Sequence, residues 1–356
     1  MKPAKSRPHL LRDALKRQRL DALLVTCMKN IRYLTGFTGS SGFVIARHDR
    51  AFFFTDFRYQ EQAAFEVRDF DLVIEKGRRS DTLRRFLKSS GIRRLGFEAS
   101  VSYEFYETLA MIGVELKAQK GLIEKARLFK DREELESIST AVRRAEKAFL
   151  GVKQRIRPGT TEREVALRLE SELKKCGCRD VPFDIIVASG KHSSMPHAQP
   201  TGKKIEKGDF VILDWGGEAG GYYSDMTRTL LMPGKAPSEK IRLYDIVNRA
   251  RAKAISCIKA GMKCREVDAA ARDFIIKHGY GDCFGHSTGH GVGLEVHEAP
   301  RVSRTSVERV SEGMVFTVEP GIYVPGLGGV RIEDMVHVRN GRGTIMTTLN
   351  RDLQQS

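Results

Sequence analysis

Along residues 138–156 apolar side chains return every three or four positions. Ile138, Ala141, Val142, Ala145, Phe149, Val152 and Ile156 share one face, which predicts an amphipathic helix buried along that face. Thr161-Glu-Arg-Glu164 has the form of a capping box, so a second helix opens there, with Val165, Ala166, Leu169 and Leu173 as its inward stripe. Upstream, strand-like runs alternate with helical ones. Helix-like 8–18 is followed by a strand at 22–27, two strands flanking His48-Asp49-Arg50, a helix from about 57 to 67 and a strand within 70–76; a helix near 81–90, a strand at 93–98 and a helix near 103–112 complete the run. The alternation predicts an α/β domain. Residues 30–42, NIRYLTGFTGSSG, read as a glycine- and serine-rich loop exposing Tyr33 and Phe37. A charged stretch over 128–138 precedes the long helix, and the boundary is expected there, giving domains 1–126 and 127–356.

Composition narrows the picture. A chain of 356 residues suits two separately cored domains, and 41% hydrophobic with 30% charged residues describes a globular protein. No apolar run approaches a membrane span, so no membrane partner is expected. The start, MKPAKSRPHLLRDALKRQRL, is basic but lacks a continuous apolar segment and a small-residue cleavage site, so the expected location is cytoplasmic. Six scattered cysteines form neither a redox pair nor a zinc knuckle and receive no function. The formal charge of +16 raises nucleic acid as a partner, but the basic residues are spread through helical segments without a recognition motif. The expectation is a solvated basic surface and no nucleic acid.

The second region is doubled. Ile156-Arg-Pro-Gly159 with Arg163-Glu164-Val165 recurs roughly a hundred residues on as Ile258-Lys-Ala-Gly261 with Arg265-Glu266-Val267. Pro196-His197-Ala-Gln-Pro200 is echoed by Val296-His297-Glu-Ala-Pro300, and the strand ending at Asp214 by the strand ending at Glu319. Each half thus supplies a helix after a glycine turn, a histidine near a proline, and an apolar strand ending in a carboxylate. Asp225 and Glu333 follow Asp214 and Glu319 at similar distances. Two halves about a pseudo-twofold axis would bring the four acids together.

A hairpin centred on Ala219-Gly220 would set Asp214 opposite Asp225, with Cβ atoms about 4.5–5.5 Å apart, and four glycines would make its turn. Glu319 and Glu333 flank Pro325-Gly-Leu-Gly-Gly329 at an even spacing compatible with one face. Singly, a strand-end aspartate is usually a cap and a lone histidine a satisfied core group. Two repeated carboxylate pairs in apolar segments are different, because four converging acids repel by several kcal/mol unless cations neutralise them. A dinuclear metal site is the economical reading. Its neutral ligand is an imidazole, offered by His286, His290 or His297, and His290 stands between two glycines that would let the backbone approach the metals. Oxygen-rich donors with one nitrogen favour Mn²⁺ or another hard to borderline divalent ion, with Co²⁺ or Zn²⁺ as alternatives.

Residues 214–229, HSTGHGVGLEVHE at 286–298, VEPGIY at 318–323 and GGVRIED at 328–334 closely resemble the M24 metallopeptidase family with the pita-bread fold. That family includes methionine aminopeptidases, Xaa-Pro aminopeptidases and Xaa-Pro dipeptidases (prolidases). The resemblance implies an α+β chain, an N-terminal creatinase-like α/β domain followed by a pseudo-twofold pita-bread catalytic domain. It makes Asp214, Asp225, His290, Glu319 and Glu333 the ligands of two divalent cations. It makes His197 and His297 the imidazoles that hold substrate and stabilise the tetrahedral intermediate, Glu319 the proton shuttle, and His286 and Arg331 further residues lining the substrate site. The implied activity is metal-assisted hydrolysis before proline, first as an Xaa-Pro aminopeptidase acting on peptides with proline second. A prolidase restricted to dipeptides is the alternative, and a non-catalytic peptide-binding protein ranks last. Analogy with the family also implies a homodimer.

Overall fold

The long helix predicted from the apolar stripe runs over Arg132–Lys153 and buries Ile138, Ala141, Val142, Ala145, Phe149 and Val152 as expected. It begins inside the charged stretch, because Asp131 caps it: the carboxylate accepts from the N–H groups of Glu133 and Glu134, and Glu134 reaches back to the Asp131 N–H. The structure is a computed structural model and describes residues 7–353; the first six residues of the basic start lie outside it. The chain forms two units that divide between Arg127 and Leu128.

In the first unit six strands make one mixed sheet, in the order Asp71–Ile74, Ala51–Thr55, Phe43–Arg47, Ala22–Val25, Arg94–Glu98, Glu115–Gln119. The Phe43–Arg47 strand is antiparallel to both its neighbours and the outer pairings are parallel. Ala22–Val25 is buried at every position, which is why it reads as an unbroken apolar run. Glu115–Gln119 is a half-exposed edge whose polar sequence, ELKAQ, carries no strand signal.

The expected loop at 30–42 is corrected. Met28–Thr35 is a helix closed by Gly36 at φ 78°, a left-handed cap that glycine adopts without strain. Tyr33 and Phe37 are buried, not exposed. Tyr33 lies under the Arg7 guanidinium, 4.1 Å from its ring centre, and Phe37 packs 4.7 Å from Phe53. A short helix whose tight turn carries Gly and Ser is indistinguishable by composition from a loop.

The second unit is doubled in three dimensions. In one half, Arg132–Lys153 and Glu162–Lys175 cover the antiparallel strands Met226–Leu231, Phe210–Trp215 and Ile186–Ser189. Trp215 stacks on Phe149 at 4.8 Å and its indole N–H donates to the Ala145 carbonyl at 3.0 Å, which ties helix to sheet. In the other half, Ser238–Cys257 and Cys264–Lys277 pack on a five-stranded antiparallel sheet, in the order Glu298–Val302, Gly289–Gly291, Val315–Val318, Asp334–Arg339, Arg342–Ile345. Matching details mark the repeat. Glu164 and Glu266 each accept from the N–H that opens its helix, at Thr161 and Lys263, and those two residues form isolated antiparallel bridges with Lys204 and Arg309. No helix among the described residues is long and apolar enough to cross a membrane.

Candidate metal centre

The Phe210–Trp215 strand delivers Asp214, but not by the register expected. The hairpin turns at Gly220-Gly221, both at positive φ, so Asp214 faces Thr227 and Asp225 stands just outside the ladder, diagonal to its partner. The four glycines divide into two roles. Gly220 and Gly221 make the turn, whereas Gly216 and Gly217 leave no room for a side chain. A Cβ on Gly216 would lie 2.1 Å from the Ser224 carbonyl, and one on Gly217 2.4 Å from the Ala141 carbonyl. Close backbone packing at this end of the hairpin brings Asp225 in against Asp214.

In the second half Val318 faces Asp334 and Gly321 faces Arg331, so the same register carried through the gap sets Glu319 across from Glu333. His290 comes from the short Gly289–Gly291 strand at a β-bulge. Its flanking glycines serve the sheet: a Cβ on Gly289 would fall 1.9 Å from the Thr317 carbonyl, and one on Gly291 2.0 Å from that of Ala299. They admit neighbouring backbone, which corrects the expectation that they bring the chain to the metals.

All five side chains converge. Asp214, Asp225 and Glu333 offer ligand atoms within 4.8 Å of one another, as do His290, Glu319 and Glu333. His290 Nε2 lies 3.3 Å from Glu319 Oε1 and 3.6 Å from Asp225 Oδ2. His290 Nδ1 sits 3.1 Å from the Gly291 carbonyl, which can only accept, so Nδ1 carries a proton and Nε2 is the nitrogen free to bind a cation.

Burial raises the carboxyls of Asp225 and Glu333 well above the ordinary range, and the neighbouring carboxylates add to the shift. Glu319 goes the other way: burial opposes its charge, but in the cation-free centre the hydrogen bond and positive charge of a protonated His290 outweigh it and lower the carboxyl. Acids driven apart in this way are starved of positive charge.

The donor set fits divalent cations. Asp214 Oδ1, Asp225 Oδ1 and Glu333 Oε1 are buried and have no hydrogen-bond partner among the described residues. Two of their sister oxygens are held: Asp214 Oδ2 accepts from Arg331 Nη2 at 2.6 Å, and Glu333 Oε2 from the Thr227 hydroxyl at 2.7 Å. Three aimed carboxylate oxygens beside one imidazole nitrogen are what a hard or borderline cation takes.

Around the acids lies a cavity of about 800 Å³ whose walls include His197, His286, His297 and Arg301. His297 places its ring 4.2 Å from that of His290. His286 Nδ1 donates to the Ser287 carbonyl at 2.8 Å, so its Nε2 accepts from the Tyr323 hydroxyl at 3.0 Å. Arg331, expected at the substrate, is 3% exposed and its donors are committed to the protein. Besides Asp214 it reaches Thr227, the Pro196 carbonyl and, at 2.6 Å, the Tyr323 oxygen. It braces a carboxylate from behind.

Tyr323, Thr227 and Thr317 carry no role in the sequence reading. Burial pushes the Tyr323 phenol up to about 12, so it keeps its proton and links Arg331 to His286. Thr317 accepts from the His290 N–H and donates to Glu319. A signal for the threonines exists: each lies on a strand two residues from an acid just beyond its end, and extended chain with a period of two puts them on the same side.

Fold and cavity together define a two-domain pita-bread hydrolase framework with an acidic, imidazole-bearing centre. The model of metallopeptidase family M24 matches residues 136–340, and that of the creatinase/prolidase N-terminal domain matches residues 7–129. The chain belongs to metallopeptidase family M24. It is 44% identical over 340 residues to the uncharacterized peptidase YqhT of Bacillus subtilis, covering 94% of this chain and 96% of that one. Among solved structures, an Xaa-Pro dipeptidase from Bacillus anthracis is 41% identical at a TM-score of 0.95, covering 97% and 98% of the two chains. An X-Pro aminopeptidase from Thermotoga maritima MSB8 is 34% identical at 0.90, covering 99% and 100%.

Proposed function

We propose that this chain hydrolyses the peptide bond between an N-terminal residue and a following proline, using Asp214, Asp225, His290, Glu319 and Glu333 to hold two divalent cations, manganese first. The observation that carries the reading is that Asp214, Asp225 and Glu333, whose ligand atoms lie within 4.8 Å of one another, each keep a buried carboxylate oxygen without a hydrogen-bond partner among the described residues, with His290 Nε2 close to Asp225 and Glu319. When bound, such a pair supplies Lewis acidity and an activated water.

The protein's own groups do the rest. Glu319 accepts a proton on its carboxylate and returns it to the departing prolyl nitrogen. His197 and His297, on the cavity wall, donate to the carbonyl oxygen as negative charge grows on it. Tyr323 orients the His286 ring through its Nε2, and Arg331 fixes Asp214 so that its other oxygen stays aimed inward. The prolyl nitrogen carries no hydrogen, so a site that reads the ring and not an N–H selects this bond.

Cleavage of longer peptides with proline second is the first reading, that of an Xaa-Pro aminopeptidase. Restriction to dipeptides is the second, favoured by the higher identity to the Bacillus anthracis dipeptidase. Turnover of an Xaa-Pro dipeptide and of a pentapeptide beginning Xaa-Pro, both with Mn²⁺, separates them. The aminopeptidase reading expects both to be cleaved, and cleavage of the dipeptide alone overturns it.

The functional unit is proposed to be a homodimer in the cytoplasm, where the six free thiols suit a reducing setting. Light scattering at micromolar concentration is expected to give twice the chain mass. A monomer mass throughout would remove the dimer.

A further inference from the structure

Outside the cation centre, the most heavily engaged carboxylate in the first half of the catalytic unit is Glu162. It is the first residue of the Glu162–Lys175 helix and is 0% exposed. One oxygen accepts from the Ser189 N–H at 2.7 Å and the Ser189 hydroxyl at 2.8 Å. The other accepts from the Thr201 N–H at 3.1 Å and the Thr201 hydroxyl at 2.7 Å. His192 Nδ1 lies 3.0 and 2.9 Å from the two and donates between them. Burial opposes the charge, but the bonds from Thr201, His192 and Ser189 more than offset it and hold the carboxyl below its ordinary value.

Ser189 and Thr201 are the two ends of the segment that carries His197. Apart from the short turn of helix Gly190–Ser194, that segment has no regular structure of its own. One carboxylate therefore closes the loop at its base. Its middle is pinned separately, since the Gly329 N–H donates to the Ser193 hydroxyl at 2.8 Å and Arg331 Nη1 donates to the Pro196 carbonyl at 3.2 Å. Between the pins and the base stands His197.

The other half repeats the device. Asp268, on the equivalent helix Cys264–Lys277, accepts from the Thr288 N–H and hydroxyl and from Arg272, whose guanidinium continues to the carbonyls of Phe284 and His286. In each half a buried carboxylate on the second helix ties down the segment presenting an imidazole to the cavity.

We propose that Glu162 is a positioning residue for His197, holding the 189–201 segment so that the imidazole meets the scissile carbonyl. This rests on the hydrolase reading above. A donor displaced by an ångström from a developing charge loses most of its effect, so the role shows in transition-state stabilisation and only through His197.

The test is a double-mutant cycle on the cation-loaded full chain, with an Xaa-Pro substrate, comparing Glu162→Gln, His197→Ala and the pair. Glu162→Gln keeps the side-chain shape but presents an amide to donors on all sides. It is expected to lower kcat/KM about tenfold, mostly in kcat. In the His197→Ala background the same change is expected to cost less than about twofold. Thr201→Val, which removes one donor and preserves volume, is expected to cost about threefold with the same masking by His197→Ala; it decides the matter if Glu162→Gln does not fold. Cations per chain, measured by elemental analysis, are expected to equal wild type in both variants. Factors that multiply, or a loss of bound cations from Glu162→Gln, would overturn the positioning role while leaving the hydrolase reading standing. A cation-loaded wild type inert towards every Xaa-Pro substrate defeats the functional reading and this inference with it.

Discussion

Asp225→Asn is expected to reduce peptide hydrolysis by about 10³-fold or more while leaving the cation-free chain at least as stable as wild type. The two effects have one cause. Asp225 is 5% exposed and shares its surroundings with Asp214, Glu319 and Glu333. Burial and then those neighbours raise its carboxyl well above the ordinary range. A group whose folded pKa exceeds its unfolded value stabilises the fold fully below the unfolded value, about 4, and that contribution is lost as pH rises through the raised value. At neutral pH the cation-free fold therefore gains nothing from the Asp225 carboxylate. An asparagine removes the charge and keeps the shape. With cations the sign reverses, because ligand binding to the folded state alone stabilises it in proportion to occupancy. Added Mn²⁺ should raise the melting temperature of wild type and lower its preference for mildly acidic pH, and should do much less for the variant. Elemental analysis alongside the melts gives the stoichiometry, expected at two cations per wild-type chain and fewer in the variant. Equal cation content and equal activity in the two proteins would remove Asp225 from the centre.

The doubling and the convergence of the four acids were legible because they rest on chemistry that survives without coordinates, whereas the choice of His290 among three imidazoles came with the family resemblance. Apolar strands that end on carboxylates, twice over, leave charge buried in a core unless something positive joins it. The hairpin register was not legible. Placing Asp214 against Thr227, two residues from the expected partner, depends on which glycines turn and which merely make room, and a string of four glycines does not say. The contacts of Arg331 were not legible either: it lines the cavity, while its guanidinium also binds Asp214 and Tyr323, and neighbourhood in sequence to a ligand does not reveal those partners. Glu162 stood in the reading only as part of a capping box, and the box is real, yet its own side chain turns away from the helix to collect a loop 27 to 39 residues downstream. Contacts of that range leave no periodic trace. In the N-terminal unit the Met28–Thr35 helix was hidden because the glycine and serines that follow it outweighed the Ile31, Leu34 spacing within it.

The largest expected loss of stability comes from a residue the sequence reading passed over inside its own motif. Glu333 and Asp334 are consecutive where the Asp334–Arg339 strand begins and so point to opposite faces. Glu333 faces the cation centre, whereas Asp334, 0% exposed, faces three arginines: it accepts from Arg228 Nη2 at 2.9 Å, Arg251 Nη1 at 2.5 Å and Arg351 Nε at 2.8 Å, and from the Thr347 hydroxyl at 2.6 Å. Arg228 extends the contact to the Glu333 and Thr227 carbonyls, which joins the two halves behind the site. Burial opposes the Asp334 charge, but Arg228 and Arg251 outweigh it and hold the carboxyl below its ordinary value. Replacing Asp334 by asparagine leaves guanidinium groups buried without their counter-charge, a change that typically costs about 3–5 kcal/mol. The denaturation midpoint should fall by the corresponding amount, and the melting temperature by about 10 °C. Because the folded pKa is depressed, the wild-type contribution is complete above the unfolded value, near 4, and disappears as pH falls towards the folded one. The difference between wild type and variant should therefore be full at neutral pH and shrink only in acid below that value. Asp245→Asn supplies the comparison, since its partner Arg249 sits on an exposed helix face where such pairs contribute about 0.5 kcal/mol or less. If the two asparagine variants shift the urea midpoint equally, the arginine cluster does not hold the halves together through Asp334.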